Sequence, residues 1–541
     1  MMKMRKFLSM ALALSMVAGV LAGCGQGKTA DSTEATEVTE ATEITEAVAG
    51  TEGASAEYVD IKVGVTLNWD TLTPFRSNIA NDAYCSKVIY EALASIEADG
   101  EYHPWIAKSW STNDGGYTYD FEIYDYITDS QGNKITADDL VWMIEESVKA
   151  NLKPNFANVE SVEKTGDYSF SVKLKSNQVG VLESLLTDVF AVSKSAYEAS
   201  TDGFATSCVT TSAYVLSEYI SGVSMTFEKR SDYWQTDASL IPASCVANVD
   251  KMTLMQISEA SQMGIALESG DIDIALELGA NTAIQFEGND DFVMETFSKP
   301  NGHQMFFSGA PTSVVAEDQN LRQAICYAID VNGILASVYA GYGTVMHDTC
   351  SETAYGYLTK WNDESYYDYD PEKAKELLAE SNYNGETLTI LCSSSFQNWG
   401  EMVMNYLLAV GINAKLDSGD IAYVTSIRLD GTKYDMFLNQ VGCATLPSQW
   451  SIRFDPAAYK TGDGTSRHDY ELAEMLYKTW TADGFTEENI DAVHNYIKEH
   501  AYAYGMVCPS VINVWRSDVN LQNYVAGSYN KISVQACTFS K

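Results

Sequence analysis

The segment from Val88 to Val148 constrains this chain more than any other, because three structural signals follow one another in it without a break. Asp114-Gly115-Gly116 is a turn, since glycine accepts positive φ without steric cost. Behind it, Tyr117, Tyr119, Phe121 and Ile123 alternate with Thr118, Asp120 and Glu122, the period of a strand with one buried face. Thr136 then precedes Asp139 by three residues, the pattern of a capping box. The helix it opens carries Leu140, Ile144 and Val148 at spacings of four, one apolar stripe. A hairpin leading into an amphipathic helix belongs to an α/β architecture.

The same alternation of periods continues along the chain. Tyr58–Leu67 reads as a first strand, and Tyr168, Phe170, Val172 and Leu174 as another behind the Gly166-Asp167 turn. Ser258–Ser269 is a helix stopped by Gly270, and Asp271–Leu276 alternates as the strand that follows. Leu321–Asp330 is helical with Leu321, Ala324, Ile325 and Ala328 inward. Asp370 caps a further helix with Pro371 at its first position. Beyond it come a strand at Thr387–Cys392, a helix at Glu401–Val410 ended by Gly411, and a strand at Tyr434–Leu438.

Read in order, these residues resemble one family. Tyr90-Glu91-x-Leu93, Pro104-Trp105-Ile106-Ala107-Lys108-Ser109-Trp110 and Thr136-Ala137-Asp138-Asp139-Leu140-Val141 are similar to the block shared by the peptide/nickel-type (family 5) extracellular solute-binding proteins of ABC importers. Met225 to Trp234, ending in Asp-Tyr-Trp, the Glu268-Ser-Gly-Asp-Ile-Asp-Ile-Ala275 run and Leu321-Arg-Gln-Ala324 to Ala328-Ile-Asp330 resemble later motifs of that family. Where the family has Gly-Thr-Gly-Pro-Tyr, this chain has Thr210-Thr211-Ser212-Ala213-Tyr214, so its backbone must avoid conformations reserved for glycine.

The resemblance implies a two-lobed periplasmic-binding-protein-like (Venus flytrap) α/β fold with an extra domain inserted in the first lobe. Lobe I would comprise residues 58–102, 209–300 and 506–541, the inserted domain 103–208, and lobe II 301–505. A ligand would be trapped between the lobes by hinge closure. The partners implied are a peptide or small-molecule ligand, permease subunits and their ATPases, with the chain itself a monomer. Oligosaccharide and nickel binding, or a sensory role, are the alternatives.

The N-terminus supplies an address. Lys3, Arg5 and Lys6 precede a short apolar run from Phe7 to Val20, too short to span a bilayer, which reads as a signal peptide over residues 1–23. Leu21-Ala22-Gly23-Cys24 resembles a bacterial lipobox, implying lipidation of Cys24 and an anchor on the outer face of the cytoplasmic membrane. The Thr/Glu/Ala-rich stretch to residue 57 has no apolar content to form a core and reads as a tether. Across all 541 residues, 74 Asp plus Glu against 34 Lys plus Arg give a net charge of -40, which repels phosphate backbones and excludes nucleic acid as a partner. The ten cysteines form no CxxC pair, so most are expected to be buried thiols, with one or two long-range disulfides open.

No nucleotide-binding loop, nucleophile elbow or HExxH is present, and the six histidines are scattered, so neither an enzyme, a cofactor nor a metal is expected. Asp271 and Asp273 are expected on the polar face of a strand. Candidate ligand contacts sit in two stretches. Trp69, Phe75, Arg76 and Asn78 follow the first strand, while Gln440, Cys443, Thr445, Trp450 and Arg453 follow the last; His303 and Trp399 complete the set. Many family peptide binders fix the ligand's ammonium with an aspartate where this chain has Thr445, and a hydroxyl cannot neutralise a buried charge. Asp455 is a possible substitute, or the ligand lacks a free amine. Trp69, Trp399 and Trp450 could instead stack on sugar rings.

Overall fold

The computed structural model describes residues 58–66, 71–75, 88–97, 99–150, 152, 154–298, 301–442, 446–456, 464–521 and 533–539. The signal peptide, Cys24 and the tether lie outside the described residues. So do Trp69, Arg76, Asn78, Cys443 and Thr445.

Two large mixed sheets carry the architecture. One has seven strands in the order Phe292–Phe297, Val511–Arg516, Ile274–Ala275, Asp60–Val65, Lys251–Gln256, Ser224–Lys229 and Tyr214–Ile220. The other has six: Gly343–Val345, Ala503–Pro509, Asn301–Phe307, Met436–Gly442, Leu388–Ser393 and Ala414–Gly419. Phe292–Phe297 pairs antiparallel with Val511–Arg516 in the first sheet, and Asn301–Phe307 pairs antiparallel with Ala503–Pro509 in the second. The chain therefore crosses between Phe297 and Asn301 and returns through Ser510. Residues 505 and 506, where the lobe boundary is expected, both lie in strand Ala503–Pro509, and Ser510 separates that strand from Val511–Arg516 of the seven-stranded sheet.

A four-stranded antiparallel sheet (Ala107–Ser111, Thr118–Ile123, Ser169–Leu174, Val159–Gly166) lies in sequence between the first strand and Tyr214–Ile220, an insertion into the seven-stranded unit. Its local logic is the one read from the sequence. Gly115 and Gly116 sit at φ of +77° and +90°, and the Asp114 carboxylate accepts the amides of Tyr117 and Thr118 at 3.0 and 2.8 Å. The Asp139 carboxylate accepts the Thr136 amide and hydroxyl at 2.8 and 3.0 Å, opening helix Ala137–Lys149. That helix buries Leu140, Met143 and Ile144 against the sheet's Phe121, Phe170 and Val172.

Two elements differ from expectation. The strand expected over Asp271–Leu276 shrinks to Ile274–Ala275, because the amides of Asp271 and Ile272 turn back onto the Ala266 carbonyl and finish the helix whose cap is Gly270. Asp273 caps instead of paving a face: its carboxylate accepts the Lys62 amide at 2.9 Å. The strand expected over Tyr434–Leu438 runs from Met436 to Gly442, held to that length by pairing of Gln440, Val441 and Gly442 with His303, Gly302 and Asn301.

A motif of the opening segment and the later Asp-Tyr-Trp motif meet on one buried carboxyl. Glu91 is 1% exposed and receives the Tyr233 hydroxyl at 2.5 Å and the Trp234 indole N–H at 2.8 Å. Nearby, the Arg230 guanidinium donates to the carbonyls of Thr210, Ser212 and Asp129 at 3.2, 3.2 and 3.0 Å. This holds the loop that lacks glycines, and none of Thr210–Tyr214 lies at positive φ. Cys208, Cys326, Cys392 and Cys537 are unbridged thiols, and burial pushes those of Cys208 and Cys537 up to about 12.

The insertion touches the six-stranded unit through its main chain. The Val179 amide donates to the Trp480 carbonyl at 2.8 Å and the Ala482 amide to the Asn177 carbonyl at 3.2 Å, with Gln178 and Thr481 as antiparallel partners. Trp480 ends helix Tyr470–Thr479, whose Leu472 and Leu476 belong to a core cluster beside that sheet.

Burial pushes the Glu91 carboxyl from its ordinary 4.5 up to about 7, against the lowering effect of the bonds from Tyr233 and Trp234. Its folded pKa is raised, so the stability it contributes is fully present below pH 4.5 and is lost as pH rises through about 7. The loss is on the order of 3 kcal/mol at most. Glu91→Gln should flatten the dependence of unfolding free energy on pH over this window in urea titrations; an unchanged slope would refute the assignment.

Candidate ligand-binding site

Strand direction places the site before any side chain does. Asp60–Val65, Lys251–Gln256 and Ile274–Ala275 run parallel, and their carboxyl ends point to where Val511–Arg516 begins. In the other sheet Leu388–Ser393, Ala414–Gly419 and Met436–Gly442 run parallel, with Gly442 opposite Asn301. Both sets of carboxyl ends therefore face the crossing. Open α/β sheets bind ligands beyond such ends, where loops are free to vary on a fixed scaffold.

The residues anticipated from sequence fall into three groups. Phe75 follows the first strand but is half-buried, edge-on to Trp142 at 5.5 Å and Tyr197 at 5.3 Å, so it pins its loop to the inserted domain. His303 and Trp399 come together: their rings stack at 5.1 Å, with Phe396 at 5.0 Å and the Tyr339 hydroxyl 2.5 Å from His303 Nδ1. Gln440 is the strand partner of His303 and is exposed. Trp450 and Arg453 stand apart from that cluster, on helix Leu446–Phe454 rather than in a loop, and both are buried.

Trp450 donates its indole N–H to the Thr349 hydroxyl at 2.9 Å, and the Arg453 guanidinium lies 4.6 Å over the Phe306 ring. Burial first, then the nearby Arg428 charge, lowers the Arg453 guanidinium to about 9. The two groups occupy opposite faces of the six-stranded sheet. His303 shares its face with Met305 and Phe307 in one core cluster, while Phe306 and Trp450 belong to another.

Sequence reasoning missed Tyr339 and Phe396, which carry no local signal because their role arises only when Val331–Val338 and Gln397–Ala409 pack beside the same strand. It also missed Glu277, at φ +54°, directly past a carboxyl end and held by its amide on Asn513 Oδ1 at 2.9 Å. Asp455 accepts the Tyr477 hydroxyl at 2.8 Å. Among the described residues no group of three His, Cys, Asp or Glu is arranged to hold a metal ion.

This fold and its sequence have recognisable relatives. The Escherichia coli K12 glutathione-binding protein GsiB is 23% identical over 376 residues, covering 67% of this chain and 70% of that protein. Among solved structures, the oligopeptide-binding protein AppA from Bacillus subtilis, in complex with a nonapeptide, superposes with a TM-score of 0.72 at 17% identity. It covers 89% of this chain and 99% of its own. NikZ from Campylobacter jejuni, in complex with Ni(L-His), gives 0.74 at 18% identity, over 88% and 99%. The model of the bacterial extracellular solute-binding proteins, family 5 (middle region), matches residues 101–460, about two thirds of the chain. Two sheets joined by paired crossing strands, an insertion in the first, and this match have one reading: the chain belongs to the family 5 extracellular solute-binding proteins, which bind ligands rather than transform them.

Proposed function

We propose that this protein is the membrane-anchored, extracellular receptor of an ABC importer, and that it captures a peptide between its lobes and delivers it to the permease. The observation that carries the reading is the convergence of parallel-strand carboxyl ends from both sheets on one two-strand crossing. The glutathione-binding GsiB and the nonapeptide complex of AppA favour a peptide. An extended peptide is recognised largely through its own backbone, which suits a cleft walled by strand ends.

In this reading residues 58–102 and 209–300, with the C-terminal segment from Val511, form lobe I; 103–208 are the inserted domain; and residues 301–509 form lobe II. Trp69, Arg76 and Asn78 would reach the ligand from lobe I, and Gln440, Cys443 and Thr445 from lobe II. Phe75, His303, Trp399, Trp450 and Arg453 would shape the walls behind them. Trp399 and Trp450 are 1% and 0% exposed, so their faces are already covered by protein, which speaks against an oligosaccharide platform on those two rings. Cys24 would carry the lipid anchor, and the acidic tether would hold the lobes off the membrane.

Thermal unfolding should be measured with separate pools of di- to nonapeptides, glutathione, oligosaccharides and nickel–histidine. At a hundred times its Kd, a ligand stabilises by roughly 2.7 kcal/mol, enough for a clear upward shift. A shift with peptides is expected; a shift confined to glycans or to the nickel chelate would overturn the peptide assignment. Cys24→Ala should release the protein from membranes into the medium. Retention of that variant in the membrane fraction would refute the anchor.

A further inference from the structure

On the opposite face of the strand that bears His303, Gln304 stands out chemically. It is 0% exposed, yet neither its Nε2 nor its Oε1 has a hydrogen-bond partner among the described residues. Burying both ends of a carboxamide unpaired is costly, and native proteins keep such groups for a reason. Three further observations bear on the reason.

First, the ladder slips here. His303 pairs with Val507 but Gln304 with Gly505, so Met506 has no opposite residue. Such bulges re-aim a side chain and are enriched beside functional sites. Second, the position two residues before Gln304 and its partner on the next strand are glycines, Gly302 and Gly505. A Cβ on Gly302 would lie 2.4 Å from Met346 Cε and 3.3 Å from Gln304 Nε2, which also places the carboxamide on the side of Gln304 nearer the crossing. A Cβ on Gly505 would lie 1.8 Å from the Asp348 carbonyl oxygen. Third, Asn439 is directly opposite Gln304 on strand Met436–Gly442, and directly opposed residues project from the same face. Asn439 is only partly buried, so solvent reaches the space beside it.

We propose that Gln304 and Asn439 form an amide subsite of the ligand cleft on the lobe II side. It would bind the main chain of one extended ligand residue, whose C=O accepts from Gln304 Nε2 and whose N–H donates to Gln304 Oε1, the two pointing to the same side as they do in a strand. Both needs of the buried carboxamide are then met by one residue of complementary chemistry. The subsite would sort ligands by a paired donor and acceptor rather than by charge. The ligand class rests on the peptide reading above; the placement of the subsite does not.

Gln304→Leu separates a ligand-binding role from a structural one. Replacing an unpaired buried amide by an apolar group of similar size should raise the melting temperature of the ligand-free protein, by roughly 1–3 °C. A fall would mean that the amide serves the fold, and would overturn the proposal. With any peptide that stabilises the wild type, Gln304→Leu should weaken binding at least tenfold, as should the less buried Asn439→Leu. Unchanged affinity in both variants would overturn it. Should no peptide stabilise the wild type, the peptide reading fails, and the subsite then stands or falls on the ligand-free melting temperature of Gln304→Leu.

Discussion

The structure depends on one main-chain constraint, the antiparallel pairing that persists on both sides of the crossing. Phe292–Phe297 stays beside Val511–Arg516, and Asn301–Phe307 beside Ala503–Pro509. Val511–Arg516, Asn301–Phe307 and Ala503–Pro509 bury apolar side chains on both faces and cannot slip register without exposing a core, while Phe292–Phe297 is the edge strand that pairs along Val511–Arg516. Ile512 and Val514 sit in one cluster and Trp515 in another; Met305 and Phe306 divide in the same way. Among the described residues, Ser510 is the link between Ala503–Pro509 and Val511–Arg516. Its amide donates to the Tyr342 carbonyl at 3.3 Å, and the Tyr342 hydroxyl reaches the carboxylate of Glu287, at the end of the turn Ile284–Phe286, at 3.2 Å.

Much of this was legible in the sequence where local chemistry and tertiary demand agree. The Thr136–Asp139 cap, the Asp114-Gly-Gly turn and the Asp370-Pro371 helix start are settled by atoms within a few residues of each other. Element limits set by distant partners were not legible. Gly442 is in a strand because Asn301 is opposite it, and Trp450 is on a helix whose indole finds Thr349 a hundred residues away. The site suffered most from this. Tryptophans and an arginine near a presumed cleft looked like contacts, yet Trp399, Trp450 and Arg453 are interior groups. Gln304, a polar residue with both ends of its carboxamide unmet among the described residues, sits in an apolar run that reads as a plain strand.

The family's own motifs turn out to be largely about holding loops. Arg322, in the Leu-Arg-Gln-Ala run, is 3% exposed and donates to the carbonyls of Val315, Ala316 and His500 at 2.7 to 2.9 Å. Arg230 does the same for the loop at Thr210. A rigid guanidinium fork can tie several main-chain oxygens at once, which a lysine cannot. Motif likeness across such residues therefore identifies a scaffold and is nearly silent about cargo. Residues that choose the ligand are free to differ once the carbonyls they sit among have been secured.

The contact between Asn177–Val179 and Trp480–Ala482 bears on how freely the sequence around it can change. At roughly 0.5–1.5 kcal/mol net apiece, its two main-chain bonds contribute on the order of 1–3 kcal/mol to holding the insertion against the six-stranded unit, and water would take over each amide and carbonyl if they parted. Because the bonds use no side chain, the residues that make them can be exchanged while the link stays constant. The attachment of the insertion is thus uncoupled from the sequence that forms it.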